Sequence, residues 1–183
     1  MTTLYSPRLT LEPINYLDLY PLVRLFSDIP VLLWLLDGML LHHQPTVTAI
    51  VSALIEESFA NFATRGVGLW ALRLASGECV GVAGLRGLGE GRDPAGELQA
   101  LAAVAPDQHR RRGYTAEAFR VLLAHGFGSV GLLRVLAHTN GQNEASRRVL
   151  ARFGFVLDER APLPNGMLRY ALTREAFHRA LRC

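Results

Sequence analysis

The chain has 183 residues, half of them hydrophobic, and a formal net charge of +3 at pH 7. A domain of this length buries roughly 70% of the surface that its unfolded chain exposes, so we expect one domain over residues 1–183 that needs no disulfide or metal to support its core. The mild positive charge favours an anionic ligand over a nucleic-acid coat, and the most apolar segment, residues 31–36, is far shorter than the roughly 20 residues of a membrane span.

Cysteine usage and the start of the chain bear on the compartment. Cys79 and Cys183 lie far apart and lack the paired spacing of a metal site. The first residues show no charged region followed by an apolar one, which a secretory signal requires. We therefore expect a reducing, cytoplasmic location, and we read Cys79 as a strand core residue.

Hydrophobic periodicity predicts alternating strands and helices. A strand at residues 8–12 is followed by a helix at 16–26, a hydrophobic connection at 29–43, a helix at 46–63, strands at 68–74, 79–87 and 97–104, a helix ending near 127, a strand at 132–139, a helix at 143–152, strands at 155–160 and 166–173, and a short closing helix. The series predicts an α/β (α+β) fold in which helices cover both faces of a mixed, largely antiparallel sheet.

The most informative segment is the turn Arg110-Arg-Arg-Gly113-Tyr-Thr115, which lies between a predicted strand and a predicted helix. The first N–H groups of a helix have no partner within the helix and lie at its positive dipole end. A phosphate is favoured there, and three arginines add attraction. The turn is therefore predicted to bind an anion.

Two common phosphate sites do not fit this chain. A nucleoside-triphosphate P-loop requires a lysine after its glycine loop, and all nineteen basic residues here are arginine. The dinucleotide fingerprint requires three glycines that open a helix, whereas Gly87, Gly89 and Gly91 precede a Pro94 that is typical of a connection between strands.

Two motifs together resemble the GNAT N-acetyltransferase superfamily. Arg110, Gly113 and Thr115 occupy the defined positions of its acyl-CoA diphosphate loop. About thirty residues later, Asn143 and Ser146, followed by a Gly-Phe pair at 154–155, are similar to the signature of the branch of ribosomal-protein N-terminal acetyltransferases, the RimJ/RimL type. Segments 7–11 and 168–177 also fit, so the resemblance spans nearly the whole chain.

The resemblance implies a GNAT fold, with about six to seven strands and a V-shaped opening beside the CoA loop. It also implies acetyl-CoA as cosubstrate, without a metal. The small residues from Ala102 to Val104, in the strand before the loop, would leave room for the pantetheine arm, although a tightly packed strand would use them equally well. Asn143 suits a helix N-cap as well as a cofactor ligand. The expected cofactor-binding residues are Ala102, Ala103, Val104, Arg110, Arg111, Arg112, Gly113, Tyr114, Thr115, Ala116, Asn143 and Ser146.

The loop departs from the family pattern at three points. Thr115 replaces the usual Gly or Ala, and Arg111 stands where the family often has Gly. One more residue than usual separates Pro106 from Gly113. We expect the loop to bind nevertheless, because it acts through backbone N–H groups, while the register of nearby residues is left open.

The family's strand carboxylate has two possible counterparts. Glu97 and Gln99 lie on one face of the strand by its period of two. Glu97 is the predicted base because glutamine cannot usefully accept a proton, although a solvated carboxylate or a water relay fits the same position. For the departing thiolate, Leu150 occupies the position where many family members have tyrosine. Ser146 is therefore the predicted hydrogen-bond donor to sulfur, or else a first-turn helix residue.

Other conspicuous residues receive structural interpretations. Glu117 is expected to favour the helix dipole or to bond the backbone. Phe153-Gly154-Phe155 is interpreted as a helix C-cap between core aromatics. His42 and His43 lack a spaced partner for a metal.

We therefore expect an N-acetyltransferase that transfers the acetyl group directly from acetyl-CoA to an amine, either a protein N-terminus or a small molecule. Trp34, Leu35 and the rest of segment 29–43 are expected to wall the acceptor site, to form a homodimer contact or to pack in the core. We expect no membrane or nucleic-acid partner. A non-catalytic CoA-binding module is the main alternative, and nucleic-acid binding through residues 110–112 ranks last.

Overall fold

An eight-stranded sheet forms the centre of the computed structural model, which describes residues 1–27, 46–87, 98–104, 109, 111–159, 163 and 166–182. Glu97, Arg110, Cys183 and the predicted connection at 29–43, with Trp34, Leu35, His42 and His43, lie outside the described residues.

The strands follow one another in the order β1-β2-β3-β4-β5-β6-β8-β7. Neighbouring strands are antiparallel except β5 and β6, which are parallel. The strands are β1 Leu4–Tyr5, β2 Thr10–Pro13, β3 Leu69–Arg73, β4 Cys79–Gly87, β5 Leu98–Val104, β6 Arg134–Asn140, β7 Val156–Leu157 and β8 Met167–Thr173. The α-helices are α1 Leu19–Phe26, α2 Val47–Arg65, α3 Tyr114–Ala124, α4 Glu144–Arg152 and α5 Arg174–Ala180.

The predicted α/β fold with a mixed, mostly antiparallel sheet is confirmed. Helix α2 shows why its bounds were readable: the Thr46 side chain accepts the Ala49 N–H, and Gly66 ends the helix in the left-handed conformation. Two strands differ from expectation. Strand β1 was not predicted, and β7 has two residues where a strand over 155–160 was expected. The first helix begins with a 3₁₀ turn at Tyr16–Asp18.

Two hydrophobic clusters cover the two faces of the sheet. One face packs against α3, α4 and α5 through Phe119, Leu150 and Phe177. The other packs against α1 and α2 through Leu22 and Ile55. Alternation along β5 divides its residues between these clusters, so that Ala100 belongs to the first and Leu101 to the second. The two faces of β5 therefore face different helices.

The parallel pair β5–β6 is very short. Leu98 pairs with Val135 and Gln99 with Leu136, and no further pair joins the described parts of the two strands. Strand β5 continues to Val104 and β6 to Asn140. The sheet therefore opens between them, at the place where the V-shaped opening was expected.

Candidate acyl-CoA cleft

A cleft of 550 Å³ lies where β5 and β6 part, between the end of β5, the start of α3 and the first turns of α4. Most of its wall comes from segments that the sequence singled out. Its lining residues are Ala102, Val104, His109, Arg111, Gly113, Tyr114, Thr115, Ala116, Asn143, Ala145, Ser146, Arg148, Val149 and Arg152.

The loop before α3 has the conformation of an anion site. Arg111 has a φ of 61° and Gly113 a φ of 82°, so two left-handed residues flank Arg112. Concavities of successive backbone N–H groups form in such turns. Gly113 is the N-cap of α3, and no side chain of the described residues caps that helix. The first N–H groups of α3 are thus available to a ligand in the cleft.

A salt bridge holds this loop in place. The Glu117 carboxylate accepts the Arg8 backbone N–H at 2.8 Å, the Arg8 Nε–H at 2.7 Å and the Ser6 hydroxyl at 2.8 Å. Arg8 in turn donates to the Arg112 carbonyl oxygen at 3.0 Å, and its guanidinium carbon lies 4.8 Å from the centre of the Tyr114 ring. Glu117 bonds the backbone, as one of its two interpretations expected. Its partner, 109 residues away, was not foreseen.

These contacts set the protonation state of Glu117. Burial by itself raises the pKa of Glu117, but the hydrogen bonds from Ser6 and Arg8 and the Arg8 charge outweigh burial and hold the pKa below its usual value. The carboxylate is therefore ionised at neutral pH, and it is engaged in fixing the loop. This agrees with the structural interpretation of Glu117.

The start of α4 forms the opposite wall. The Asn143 side chain caps the helix by accepting the Ser146 backbone N–H at 3.0 Å, and both residues line the cleft. Ser146 keeps its hydroxyl for other partners because the cap uses its N–H. Leu150 is 2% exposed and packs in the core, so it contributes no proton donor to the cleft. Phe153 and Phe155 flank Gly154 in the core, as the C-cap interpretation expected.

Two expected cofactor residues do not line the cleft, and a third lies outside the described residues. The alternation of β5 puts Ala103 against α1 and α2, while Ala102 and Val104 face the cleft. Arg112 does not line the cleft, and its carbonyl bonds Arg8. Arg110, like the predicted base Glu97, falls outside the described residues.

Gln99, the second counterpart of the family carboxylate, is 4% exposed. It lies on the same face of β5 as Leu101 and Ala103, and that face packs against α1 and α2. It therefore lies across the sheet from the cleft.

Sequence reasoning missed several lining residues. His109 is 8% exposed, and its Nε2 lies 2.9 Å from the Glu78 Oε1 in the β3–β4 turn. Arg148 and Arg152 add positive charge on α4. Their spacing of four places them on one helix face, a signal present in the sequence, whereas no local pattern joins His109 to Glu78.

Cys79 fits its interpretation as a core residue. Burial raises the pKa of its thiol, which keeps the thiol protonated. Within the described ranges, no group of three or more His, Cys, Asp or Glu side chains could hold a metal ion. None of the helices described is long and apolar enough to cross a membrane.

Comparison with known proteins identifies the family. The model of the acetyltransferase (GNAT) domain matches residues 8–156. No curated protein matches the sequence. An acetyltransferase from Agrobacterium tumefaciens is a similar solved structure, with 27% identity, a TM-score of 0.75 and 95% of each chain covered.

Two less identical structures share the fold. RimJ from Mycobacterium smegmatis, solved in complex with CoA-disulfide, is 23% identical, with a TM-score of 0.73, over 99% of this chain and 94% of its own. A GNAT-family acetyltransferase from Bacillus anthracis is 18% identical, with a TM-score of 0.69, over 95% and 99%. Because the family model covers most of the sequence, the chain belongs to the GNAT family of acetyltransferases.

Proposed function

We propose that this protein is an acetyl-CoA-dependent N-acetyltransferase that transfers the acetyl group directly to an amine. One observation carries the proposal: the start of α3, which no described side chain caps, and the edge of β5 beyond its last described pair with β6 open into the same 550 Å³ cleft. An extended thioester carrier with a diphosphate needs an anion site followed by a strand edge, and this cleft offers both.

Distinct parts of the cleft would hold distinct parts of the carrier. The backbone N–H groups from Gly113 to Ala116 and the Arg111 side chain would bind the diphosphate, with Arg110 and Arg112 adding longer-range attraction. Ala102 and Val104 are small enough to leave room for the pantetheine arm along β5. Asn143 would hold the carrier by its amide while still capping α4.

Acyl transfer requires a place for negative charge and two proton movements. When bound, acetyl-CoA supplies the carbonyl carbon to which the amine nitrogen bonds, and its carbon–sulfur bond breaks. Backbone N–H groups at the strand opening would stabilise the oxyanion. The Ser146 hydroxyl would donate a hydrogen bond to the departing thiolate. Glu97, or a water that it holds, would take the proton from the amine.

The acceptor that we favour is a protein N-terminal α-amine. An α-amine has a pKa of about 8 and needs less help to lose its proton than a lysine side chain at about 10.4, so a weak base suffices. The resemblance of the segment around Asn143 and Ser146 to the RimJ/RimL-type branch supports the same choice. A small-molecule amine is the alternative.

We also place the protein in a reducing cytoplasm, because its two cysteines, Cys79 and Cys183, lack the paired spacing of a metal site.

The direct test is release of CoA thiol from acetyl-CoA in the presence of peptides with free N-termini and, in parallel, of small amines. We expect thiol release that depends on the amine and that produces the acetylated amine. Tight binding of acetyl-CoA without thiol release from any amine would instead indicate a non-catalytic CoA-binding module.

The cofactor site itself is tested by Gly113→Ala. A side chain at φ 82° is strained wherever it occurs, and the nearest atom to the new Cβ would be the Arg8 Nη2 at 3.6 Å. Gly66→Ala is the matched control, with φ 70° and nothing within 4 Å of its Cβ. Both variants should lose similar stability, about 1–2 kcal/mol. Only Gly113→Ala should lose affinity for acetyl-CoA by calorimetry; equal affinities would place the cofactor elsewhere.

A further inference from the structure

The sheet face opposite the cleft carries a buried polar pair. Arg86 on β4 and Gln99 on β5 stand directly opposite each other in the antiparallel ladder, so their side chains leave the same face. Arg86 is 7% exposed and Gln99 is 4% exposed. Both point toward the side of the sheet that α1 and α2 cover, since Val82 and Leu101 on the same face pack there.

Among the described residues, neither side chain has a full set of partners. The Gln99 Oε1 and the Arg86 Nε are buried and have no hydrogen-bond partner in this part of the chain. The nearest anion recorded for Arg86 is Glu57, whose Oε2 lies 3.9 Å from the Arg86 Nη1 and whose side chain is 42% exposed. Buried polar atoms are nearly always bonded in folded proteins. This pair therefore has both a donor and an acceptor available for a ligand.

The pair is also at the place where a ligand would meet the cleft. Gln99 and Leu136 form the last rung between β5 and β6, and the two strands part immediately beyond it. The cleft approaches this opening from the side of α3 and α4. Gln99 borders it from the opposite side and Arg86 lies one strand further away, so a molecule bound to both could reach the opening.

A second arginine lies further along this face. Arg169 on β8 lies opposite His138 on β6, two residues along from the Leu136–Ala171 pair, and its buried Nε has no hydrogen-bond partner among the described residues. Glu57 is the carboxylate recorded against Arg86, and His138 is the titratable group next to Arg169. A polycationic ligand such as a polyamine or an aminoglycoside would meet two guanidinium groups here.

We propose that Arg86 and Gln99 recognise the acceptor, and that this acceptor is an amine that also carries a carboxylate. The carboxylate accepts from Arg86, and the amine N–H donates to the Gln99 Oε1, which orients the nitrogen toward the opening. The inference rests on the proposed acetyltransferase function and narrows its acceptor. The carboxylate belongs either to a small amino acid or to an acidic residue beside a peptide N-terminus, which have this chemistry in common.

The test uses the full chain with acetyl-CoA and acceptors that differ only by a carboxylate. The small-molecule pair is 4-aminobutanoate and 4-aminobutanamide; the peptide pair is Ala-Asp-Ala-Ala and Ala-Asn-Ala-Ala, both amidated at the C-terminus; spermidine represents the polycations. We expect at least one pair to show kcat/KM about tenfold higher for the carboxylate, equivalent to about 1.4 kcal/mol, and spermidine to be poorer than either preferred member.

Variants assign the preference to the two residues. Arg86→Gln should remove it, Arg86→Lys should keep part of it, and Gln99→Glu should reverse it in favour of the uncharged member, because a buried anion then repels the carboxylate. Arg24→Gln, at an exposed arginine of α1, is the control and should behave as the parent protein. Melting curves identify any variant that fails to fold. If Arg86→Gln does not fold, the conservative changes Arg86→Lys and Gln99→Glu still measure how the carboxylate preference depends on the two residues.

Failure of this inference can be told from failure of the proposed function. Equal rates for both members of each pair, a preference for spermidine, or a preference that survives Arg86→Gln would overturn the inference while leaving the acetyltransferase intact. If no amine is acetylated, the proposed function fails, and calorimetry of the same acceptors with the CoA-bound protein decides the inference: Arg86-dependent binding of the carboxylate members supports it, and absence of such binding refutes it.

Discussion

At the scale of single residues, Arg111 has a backbone φ angle that is strained for arginine and would not be strained for glycine. It has the one positive φ, 61°, among the non-glycine residues in the described parts of the chain. A side chain in the left-handed region costs about 1–2 kcal/mol. The resembled family often has glycine at this position, and the φ angle supplies the physical reason. Arginine at this strained position on the cleft wall is consistent with a functional role for its side chain.

Arg111→Gly should separate these two effects. We expect stability to rise by about 1 kcal/mol because the strain is relieved, and affinity for acetyl-CoA to fall because a guanidinium leaves the cleft. Urea unfolding and calorimetry measure the two quantities. Arg112→Gly is the comparison: Arg112 has no positive φ and does not line the cleft, so stability should fall slightly and affinity should fall less than in Arg111→Gly. Unchanged affinity in both variants would remove Arg111 from the site.

Ser146→Ala tests the proposed donor to the thiolate. The Asn143 cap uses the Ser146 backbone N–H, which alanine keeps, so stability should be nearly unchanged. We expect kcat to fall about tenfold to a hundredfold while the affinity for acetyl-CoA is retained. Asn143→Ala provides the contrast, since loss of the cap should cost about 1 kcal/mol of stability. A parental kcat in Ser146→Ala would restrict the serine to a structural role.

At the scale of elements, the Arg8–Glu117 bridge couples the segment just before β2 to the first turn of α3. The two side chains differ in exposure, since the Arg8 side chain is 50% exposed and that of Glu117 13% exposed. Loss of hydrogen bonds at the less exposed partner is the costlier event. The bridge therefore does more than a surface ion pair, because it fixes the loop that precedes α3.

Glu117→Gln should destabilise the protein at neutral pH by roughly 1–3 kcal/mol. The folded-state pKa of Glu117 is lowered, so its stabilising effect is present above the unfolded pKa of about 4.3 and is lost as pH falls through the folded value. The difference between variant and parent should accordingly shrink in acid, as measured by denaturant unfolding at several pH values.

The control for this change is Glu144→Gln on α4. Glu144 pairs with Arg148 one turn away, and both side chains are about three-quarters exposed, at 75% and 73%. Such a pair is worth at most about 0.5 kcal/mol. An equal loss in the two variants would mean that the Glu117 bridge contributes no more than a solvated one.

At the scale of the whole molecule, the cleft joins elements that are distant in sequence. Its walls come from β5, α3 and α4, and α3 is tied to β2 by the bridge. A ligand that bridges these walls binds the folded state and not the unfolded chain. Such binding stabilises the fold as a whole.

CoA at a hundred times its dissociation constant should raise the free energy of unfolding by about 2.7 kcal/mol. Adenosine, which lacks the diphosphate, should stabilise much less at the same concentration. Thermal unfolding with each ligand measures the effect. Equal stabilisation by both compounds would contradict the assignment of the diphosphate to the start of α3.

Local patterns accounted for much of the fold. Strand β4 has the predicted bounds, Cys79 to Gly87, because turn residues mark both of its ends. Strand β1 has two residues and exists through pairing with β2, so its own sequence carries too little signal. Within the site, the anion loop and the N-cap of α4 were readable, since glycine at positive φ and asparagine at a helix start act over a few residues.

The sequence by itself determined most of the elements, the family and the loop at the start of α3, because each depends on periodicity or on neighbours a few positions apart. Only the tertiary structure decided that Arg8 would secure this loop and that Arg86 would stand beside Gln99. Those contacts depend on which strands pair, in which register and on which face. The type of a buried polar residue shows only that its polar atoms need hydrogen-bond partners. The fold determines which partners they have.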